Sequence, residues 1–433
     1  MLTNAAILYG DNGVGKSTLL RIVFHLLSAA NNRAHRTDLY NSRFDRLEVG
    51  LSTGTRLTAQ FVDDHGKKML VLEVIDGSKK IAAWDYYPDA RERLSGLGRV
   101  FNVDEHGDAF VRRRTISTQK RAGENIHRGE QQYLSALNER VPRLFILNTD
   151  RRLDSDAVAD PSDEVELRRI MQYEEPKRIN ELIGRSRVIA LSQALSNAAR
   201  WLSRKAVLGT NKGSINVHSV YGDVLRRIVS RSSKTEATAT SDVDGLLQQL
   251  AIIDSKTAER ARYELATHLP TSDFRKALSG RNKSKINLSA ELLKPYINSV
   301  ESRLEAVEPI YQLIDRFVTI LNGLLHDKTI SFKLSQGFNI HNRNGESLEP
   351  AQLSSGESQL LLLFCYVLMA RDTPTVFMID EPEISLNIKW QRQLVQVLLD
   401  ITSGANIQFI FASHSMELLA QHRDRVVKLV DKA

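Results

Sequence analysis

The stretch Gly10-Asp11-Asn12-Gly13-Val14-Gly15-Lys16-Ser17-Thr18 lies between a short apolar run at residues 5–9 and a second apolar run that begins at Leu19. Its spacing is that of the phosphate-binding loop G-x-x-x-x-G-K-[ST], and the flanking runs predict the strand and the helix that such a loop needs. The three glycines permit positive φ and close backbone approach, so successive N–H groups can point at phosphate oxygens. The first N–H groups of the helix add to this attraction. The sequence therefore predicts a nucleoside triphosphate site.

Two side chains of this loop have specific predicted roles. Lys16 is expected to reach the β- and γ-phosphate oxygens of ATP, and the hydroxyl of Ser17 is expected to bind Mg²⁺. A chance match to the four fixed positions is the alternative, and the strand-to-helix context favours a true nucleotide loop. The predicted nucleotide-binding residues of the loop are Gly10, Asn12, Gly13, Val14, Gly15, Lys16, Ser17 and Thr18.

Length and composition narrow the class of protein. The 433 residues are 42% hydrophobic, which is enough for a sizeable core in two or three domains or in one α/β domain with an insertion. The single cysteine, Cys365, excludes an internal disulfide and a zinc site of several thiolates. No stretch resembles a secretion signal, and the longest apolar run, 360–370, is shorter than the roughly twenty residues of a membrane helix. We therefore expect a cytoplasmic protein.

The charge balance leaves nucleic acid open as a partner. Lysine and arginine total 59 against 52 acidic residues, a mild formal net charge of +7. Local basic clusters could follow the phosphates of a nucleic acid. An ordinary solvated surface is the favoured alternative, because no stacking aromatic residues are interleaved with the clusters. The clusters are Arg112-Arg113-Arg114, Lys120-Arg121, Arg151-Arg152, and Arg281 with Lys283 and Lys285.

The apolar pattern separates an α/β part of the chain from a helical part. Four β-type runs between residues 44 and 87, separated by turn residues, predict an antiparallel meander, and residues 144–147 predict a further strand. From about 164 to 325 the apolar residues recur at helical spacing without sustained heptads, which predicts an irregular helical insertion and no long coiled-coil arm. Within it, residues 230–242 are polar and predict a mobile loop.

Strand character returns near the end of the insertion, at residues 329–334 and 338–341. The pattern predicts an α/β fold that carries a helical insertion. The expected division is 1–150 for the N-terminal half, 151–328 for the helical insertion and 329–433 for the C-terminal half.

A second set of motifs follows in the C-terminal half. Residues 353–359, Leu-Ser-Ser-Gly-Glu-Ser-Gln, lead into an apolar helix for which Ser354 or Ser355 is a suitable N-cap, leaving backbone N–H groups for an anion. An apolar strand then delivers Asp380, placed to hold Mg²⁺, and Glu381, placed to act as general base on the attacking water. Another strand ends at Ala412-Ser413-His414-Ser415, where His414 can contact the γ-phosphate.

Each of these motifs alone has an ordinary explanation, since strand ends and helix starts are often polar. Their order along the chain favours function over coincidence. The set resembles the ATPase heads of the ABC superfamily, in particular the soluble branch that contains the SMC, Rad50, RecF and OLD-type ATPases. The matching residues are the signature motif at 353–359, Asp380 and Glu381 for Walker B and the catalytic glutamate, Ser385-Leu386-Asn387 for the D-loop, and His414 for the switch histidine.

The run Glu381-Pro382-Glu383-Ile384-Ser385-Leu386 is more similar to OLD-like and other anti-phage ATPases, such as Septu and PARIS, than to transporters. The resemblance covers about the first 150 and the last 100 residues. It implies a P-loop NTPase of ABC/SMC-head type, in which the signature helix of one subunit caps the γ-phosphate held by another. Two chains would then form an ATP-dependent homodimer with Mg²⁺ in each site. The implied signature contacts are Ser354, Ser355, Gly356 and Glu357, and the implied catalytic residues are Lys16, Glu381 and His414.

Two departures from the family pattern stand out. Family heads usually place one or two strands before the phosphate-loop strand; this sequence shows none there, and a sheet with that edge missing would be less stable on its own. The family's Q-loop glutamine has no secure counterpart, and Asp150 and Arg151 are only weak candidates for its neighbourhood.

The biological role has three candidate readings. OLD-type nucleases continue into a Toprim domain at this point, whereas here no such domain follows the last apolar run, 426–429, so the resemblance implies an ATPase that regulates a separate effector such as a nuclease in anti-phage defence. The alternative is a DNA-repair or chromosome-binding ATPase of RecF or Rad50 type that acts on DNA directly. An ATPase subunit of a transporter is disfavoured by the helical insertion and by the Glu-Pro-Glu form of Walker B.

Overall fold

The computed structural model describes residues 4–11, 13–30, 34–88, 122–147, 153–155, 176–214, 242–279, 282–384, 386 and 388–429. The chain divides into two compact units. The first unit comprises Met1–Tyr173 and Ala370–Ala433, and the second unit comprises Glu174–Met369.

The strands of the described residues form three sheets. They are β1 Ala5–Tyr9, β2 Arg46–Gly50, β3 Thr55–Asp64, β4 Lys67–Asp76, β5 Lys79–Tyr86, β6 Arg143–Leu147, β7 Leu153–Ser155, β8 Lys328–Lys333, β9 Gly337–Asn342, β10 Ser347–Leu348, β11 Thr375–Asp380, β12 Ile407–Ala412 and β13 Val426–Lys428.

The helices fall in both units. They are α1 Lys16–Leu27, α2 Ala34–Asn41, α3 Ala122–Arg140, α4 Pro176–Ser214, α5 Val243–Ala261, α6 Ser272–Leu278, α7 Lys283–Leu324, α8 Ser355–Met369, α9 Ile388–Ile401 and α10 Met416–Gln421.

A six-stranded sheet in the order β13-β1-β12-β11-β6-β7 organises the first unit. Its strands are parallel except β7, which runs antiparallel to β6. The central strands are continuous apolar runs, as expected for a parallel sheet that is buried on both faces. Because β1, β12 and β11 are neighbours, their carboxyl ends meet at one edge of the sheet, where ligands of open α/β sheets usually bind.

The strand β13 lies beside the phosphate-loop strand β1 at the edge of the sheet. Leu8 of β1 pairs with Val427 in parallel register, and the N–H of Leu429 donates to the carbonyl oxygen of Tyr9 at 2.8 Å. The phosphate-loop strand therefore lies inside the sheet, with β12 on one side and β13 on the other.

The predicted antiparallel meander is present as the sheet β2-β3-β4-β5. Its apolar face packs into the same hydrophobic cluster as α1, α3 and β6, through buried residues such as Leu20, Leu72, Tyr133 and Ile146. The meander and the central sheet of the first unit therefore share one core.

Two long helices dominate the second unit. The helices α4 and α7 have 39 and 42 residues, or about 60 Å each at 1.5 Å per residue. They pack against each other so closely that a Cβ on Gly209 would lie 3.0 Å from the carbonyl oxygen of Ala306. We expected an irregular helical insertion without a long coiled-coil arm, because the sequence lacks sustained heptads, yet α7 runs for 42 residues and continues through Pro295 and Pro309. Burial of its apolar face against neighbouring helices outweighs the cost of the prolines.

The predicted strands near the end of the insertion are confirmed as β8 and β9 of the antiparallel sheet β10-β9-β8. No helix of the described residues is long and apolar enough to cross a membrane. Several predictions concern residues outside the described ranges. These are Asn12, Asp150, Arg151, Ser385, Asn387, Arg281, the loop at 230–241 and the basic clusters at 112–114, 120–121 and 151–152.

Candidate nucleotide site

The phosphate loop has the backbone that its glycines predict. Gly13 and Gly15 adopt φ of 87° and 90°, and Gly15 precedes α1 without a side-chain hydrogen bond to cap the helix. Gly10 is required by space, because a Cβ there would lie 2.7 Å from Cγ1 of Val14. The first N–H groups of α1 thus remain available as donors to an anion, with the helix dipole behind them. Thr18 lies in the first turn and is exposed.

Lys16 is the most buried charged residue of the loop, with 5% exposure. Its Nζ donates to the carbonyl oxygens of Gly10 at 2.8 Å and Asp11 at 3.1 Å. The same Nζ lies 3.4 Å from Nδ1 of His414, which is 398 residues later in the chain. The fold therefore places the predicted switch histidine beside the phosphate-loop lysine.

Ser17 and Asp380, the two predicted magnesium ligands, are in direct contact. The hydroxyl of Ser17 donates to Oδ1 of Asp380 at 2.8 Å. Burial raises the pKa of Asp380, and the nearby charge of Glu383 adds to this, although the bond from Ser17 and the charges of Arg21 and Lys16 oppose it. A hydroxyl and a carboxylate are the hard oxygen donors that Mg²⁺ prefers, so these two residues fit the ion.

Glu381 has the strained backbone often found at functional positions. Its φ is +47°, in the left-handed region that non-glycine residues rarely adopt. The N–H of Glu381 donates to the carbonyl oxygen of Ala412 at 2.8 Å, which ties the end of β11 to the end of β12. Its Oε1 lies 3.9 Å from Nε2 of His414, and both side chains are about one-third exposed, at 30% and 34%. The carboxylate is therefore accessible to a water molecule beside the loop.

Glu383 is a site residue that the sequence analysis did not identify. Its Oε1 accepts hydrogen bonds from Ser413 and from the backbone N–H groups of His414 and Ser415. In the sequence, the run Glu381-Pro382-Glu383 contributed to the family resemblance but did not indicate a role for Glu383. Its contact with a segment 30 residues away depends on strand pairing that spacing along the sequence does not reveal.

The signature residues lie in the second unit. Ser354 is the N-cap of α8: the N–H of Glu357 donates to its Oγ at 3.3 Å, and its own N–H donates to Oε2 of Glu357 at 2.8 Å. This is a capping box, and Ser355 and Gly356 form the first turn that it fixes. Of the two candidate caps, Ser354 is therefore the one used.

Lys328 neutralises the carboxylate of this capping box. Its Nζ lies 3.0 Å and 2.9 Å from the two carboxylate oxygens of Glu357. Burial raises the pKa of Glu357, but the hydrogen bonds from Lys328 and Ser354 outweigh it, so the pKa lies below its usual range. The start of β8 is thereby fastened to the start of the signature helix.

In the first unit, the structure brings together five of the predicted site residues from three sequence regions: Lys16, Ser17, Asp380, Glu381 and His414. The parallel sheet order, the phosphate loop and this cluster define an α/β P-loop NTPase fold, with an antiparallel sheet that shares the core of the first unit.

Comparisons with known proteins agree with this class. A family model described as AAA domain, putative AbiEii toxin, Type IV TA system matches residues 214–420. A putative ABC transporter ATP-binding protein of Clostridium acetobutylicum is 26% identical over 111 residues, 25% of this chain and 39% of that protein. The lipoprotein-releasing system ATP-binding protein LolD of Cereibacter sphaeroides is 37% identical over 84 residues, 19% of this chain and 36% of that protein. The matches thus span well under two thirds of the relatives' lengths.

Solved SMC heads are similar over most of the chain, but at low identity. An Smc head from Pyrococcus furiosus bound to the C-terminal domain of ScpA has 13% identity and a TM-score of 0.31, covering 97% of this chain and 86% of that chain. An Smc head with a coiled coil and joint from Pyrococcus yayanosii has 13% identity and a TM-score of 0.32, covering 99% and 90%. Both TM-scores are below 0.5, and the α/β P-loop NTPase fold follows from the sheet order and the site of this chain.

Proposed function

We propose that this chain is an ATP-hydrolysing switch that uses Mg²⁺. The observation that carries the proposal is the 2.8 Å contact between Ser17 and Asp380, because it joins the phosphate loop to the end of the Walker B strand in the arrangement that a magnesium nucleotide needs. ATP hydrolysis in general is also supported by the relatives, which are ATP-binding proteins.

The residues have distinct roles in this proposal. The N–H groups of the loop and Lys16 hold the phosphates, and Ser17 and Asp380 hold Mg²⁺, which would neutralise charge on the phosphate oxygens. Glu381 accepts the proton of the attacking water, and it is suited to this role because it is accessible and lies beside His414. His414 interacts with the γ-phosphate from the position next to Lys16.

The switch works through a homodimer in which Ser354, Ser355, Gly356 and Glu357 of one chain contact the ATP of the other. The capped first turn of α8 supports this role, because it presents a fixed helix N-terminus to an anion. Bound ATP would then bridge two chains, and hydrolysis would remove the bridge.

Glu381→Gln tests the switch. The amide keeps the size of the side chain but cannot accept the proton, so hydrolysis should slow by about 100-fold or more while ATP binding persists. Dimers should accumulate with Mg²⁺ and ATP in size-exclusion chromatography with light scattering. The assignment of Glu381 as the general base would be contradicted if Glu381→Gln hydrolysed ATP at the wild-type rate and remained monomeric with ATP, with ADP and without nucleotide.

We further propose that the switch regulates a separate effector, such as a nuclease, in anti-phage defence in the cytoplasm. The description of the matched family model, which names a putative toxin of a type IV toxin–antitoxin system, supports a role of this kind. Affinity purification of the wild-type chain and of Glu381→Gln with neighbouring gene products tests it. An effector should be retained in one nucleotide state and released in the other, and binding that is absent in both would count against the proposal.

A DNA-repair or chromosome-binding ATPase is the second candidate. The observation in its favour is the pair of packed helices α4 and α7, whose lengths of about 60 Å would suit an arm that reaches along a large substrate. This candidate predicts that DNA stimulates hydrolysis and that DNA affinity falls steeply as salt rises. Hydrolysis that is indifferent to DNA would exclude it.

A further inference from the structure

One carboxylate oxygen binds three consecutive residues of the segment that carries His414. Glu383 Oε1 accepts hydrogen bonds from Oγ of Ser413 at 2.7 Å, from the backbone N of His414 at 2.8 Å and from the backbone N of Ser415 at 3.0 Å. Hydrogen bonds to an ionised acceptor are about twice as strong as neutral ones. The backbone on both sides of the histidine is thus held from one point.

Gln391 of α9 reinforces the same arrangement. Its Oε1 accepts a hydrogen bond from Oγ of Ser415 at 2.9 Å, and its Nε2 donates to the carbonyl oxygen of Leu386 at 3.0 Å. The same Nε2 lies 3.4 Å from the carbonyl oxygen of Glu383. The segment after Walker B and the segment of the histidine are therefore fastened to one helix as well as to each other.

The cost of this arrangement argues that the fixed segment matters. Glu383 Oε2 is buried and has no hydrogen-bond donor among the residues that the structure describes. Ser413 is fully buried, and its Oγ also accepts a bond from the N–H of Ser415. Burying an acidic group beside Asp380, whose pKa it helps to raise, is unfavourable unless the bonds that it accepts offset the cost.

The histidine that is held in this way touches both sides of the proposed reaction centre. Its Nδ1 lies 3.4 Å from Nζ of Lys16 and its Nε2 lies 3.9 Å from Oε1 of Glu381. Both separations depend on the position of the His414 backbone, because the ring can rotate only about its two side-chain torsions. Movement of the backbone by about 1 Å would separate the ring from one partner or the other.

We propose that Glu383 is the positioning residue of this site, which fixes His414 between the phosphate-loop lysine and the carboxylate of Glu381. The catalytic consequence of this positioning rests on the proposed ATPase function. The position of His414 in the nucleotide-free chain does not depend on that function. The positioning of His414 and its catalytic consequence can therefore be tested separately.

Histidine NMR tests the positioning in the full chain without nucleotide. Histidine-selective labelling, with the ring signals of His414 assigned by their loss in His414→Ala, reports its surroundings directly. Glu383→Ala should shift and broaden these signals, whereas Glu383→Gln should leave them nearly in place because the amide oxygen can accept the same three bonds. Glu417→Ala is the matched control, since it removes a glutamate from the first turn of the helix that follows.

Steady-state ATP hydrolysis by the same variants tests the consequence. Glu383→Ala should lower kcat about as much as His414→Ala, by about tenfold or more, with the KM for ATP changed by less than about threefold. The double variant should be no slower than His414→Ala alone, because a residue that acts through the histidine has nothing left to position. Glu383→Gln should restore kcat to within about threefold of wild type.

Several results would overturn the proposal. One is a folded Glu383→Ala variant whose His414 ring signals do not move. Another is a double variant whose kcat falls by the product of the two single losses. A third is a Glu383→Gln variant that keeps the wild-type His414 signals but has a kcat as low as that of Glu383→Ala. If Glu383→Ala does not fold, Ser413→Ala removes one of the three donors, and unshifted His414 signals there would have the same force. A wild-type chain without ATPase activity would refute the proposed function, while the NMR comparison would still decide the positioning role.

Discussion

At the scale of single residues, the site depends on oxygen atoms that lie far apart in sequence and close in space. Ser17 and Asp380 are separated by 363 positions, yet they share a hydrogen bond of 2.8 Å. Burial raises the pKa of Asp380 because it disfavours the ionised carboxylate. A cation bound beside the carboxylate would have the opposite effect and favour the ionised form. In the proposed function, the site would therefore gain affinity for nucleotide when Mg²⁺ accompanies it.

Asp380→Asn should therefore separate magnesium-dependent from magnesium-independent binding. The amide oxygen can still accept the bond from Ser17, but it carries no charge for the ion, so affinity for magnesium ATP should fall by about tenfold or more. Titration with a fluorescent ATP analogue, with Mg²⁺ and with EDTA, measures the difference. Asp424→Asn is the control, because that carboxylate is 74% exposed. Equal losses under both conditions would mean that Asp380 does not act through the metal.

At the scale of elements, the connection between β8 and α8 determines how firmly the signature turn is held. Lys328 begins the strand that follows the long helix α7, and both carboxylate oxygens of Glu357 bind it. A buried carboxylate that loses its cation keeps the desolvation cost without the compensating bonds. The first turn of the signature helix is therefore sensitive to the charge at position 328.

Lys328→Met should lower the melting temperature in a pH-dependent way. The pKa of Glu357 is lowered in the folded chain, so its ion pair stabilises the fold above the usual value of 4.5 and is lost as the pH falls through the folded value. The difference in melting temperature between wild type and Lys328→Met should accordingly be largest near neutral pH and should shrink below about pH 4.5. Thermal denaturation followed by circular dichroism measures it.

The control for that experiment is Lys276→Met. Lys276 pairs with Asp273 where both side chains are at least 80% exposed, and such pairs contribute little. Its melting temperature should stay close to wild type at every pH. A gap for Lys328→Met that is constant from acid to neutral pH would show that packing, and not the ion pair, is responsible.

Parts of the chain that are distant in sequence complete one sheet. The phosphate-loop strand β1 has β12 and β13 as its neighbours, and Leu429 donates to the carbonyl oxygen of Tyr9, one residue before the loop. The shape of the phosphate loop therefore depends on residues that would not themselves contact a bound nucleotide.

Leu429→Pro should weaken ATP binding from outside the loop. Proline has no N–H to donate to Tyr9, and Leu429 also lies against Gly10, so the start of the loop loses its support. We expect ATP affinity to fall by about three- to tenfold, with a loss of about 1 kcal/mol in stability for the missing bond. Isothermal titration calorimetry measures the affinity, and Leu429→Ala, which keeps the N–H, should bind ATP nearly as wild type does.

Much of this arrangement could be predicted from sequence, because local patterns encode it. The phosphate loop, the meander, the strand before Asp380 and the cap at Ser354 each follow from spacing and turn chemistry within a few residues. Three other features could not be predicted in this way, because they depend on which segments become neighbours in space. They are the pairing of β13 with β1, the hydrogen bonds of Glu383 and the ion pair between Lys328 and Glu357. The continuity of α7 through Pro295 and Pro309 depends likewise on tertiary packing, which outweighs local propensity.

The order of strands in the central sheet also has a consequence for synthesis on the ribosome. Residues 5–9 are translated long before their two partner strands, which come from residues 407–428, so the sheet around β1 cannot be completed until those residues have been made. Nascent chains that do not yet include β12 and β13 should expose an apolar strand with two free edges and should need protection from aggregation. Competence to bind nucleotide would then report that translation has passed this point.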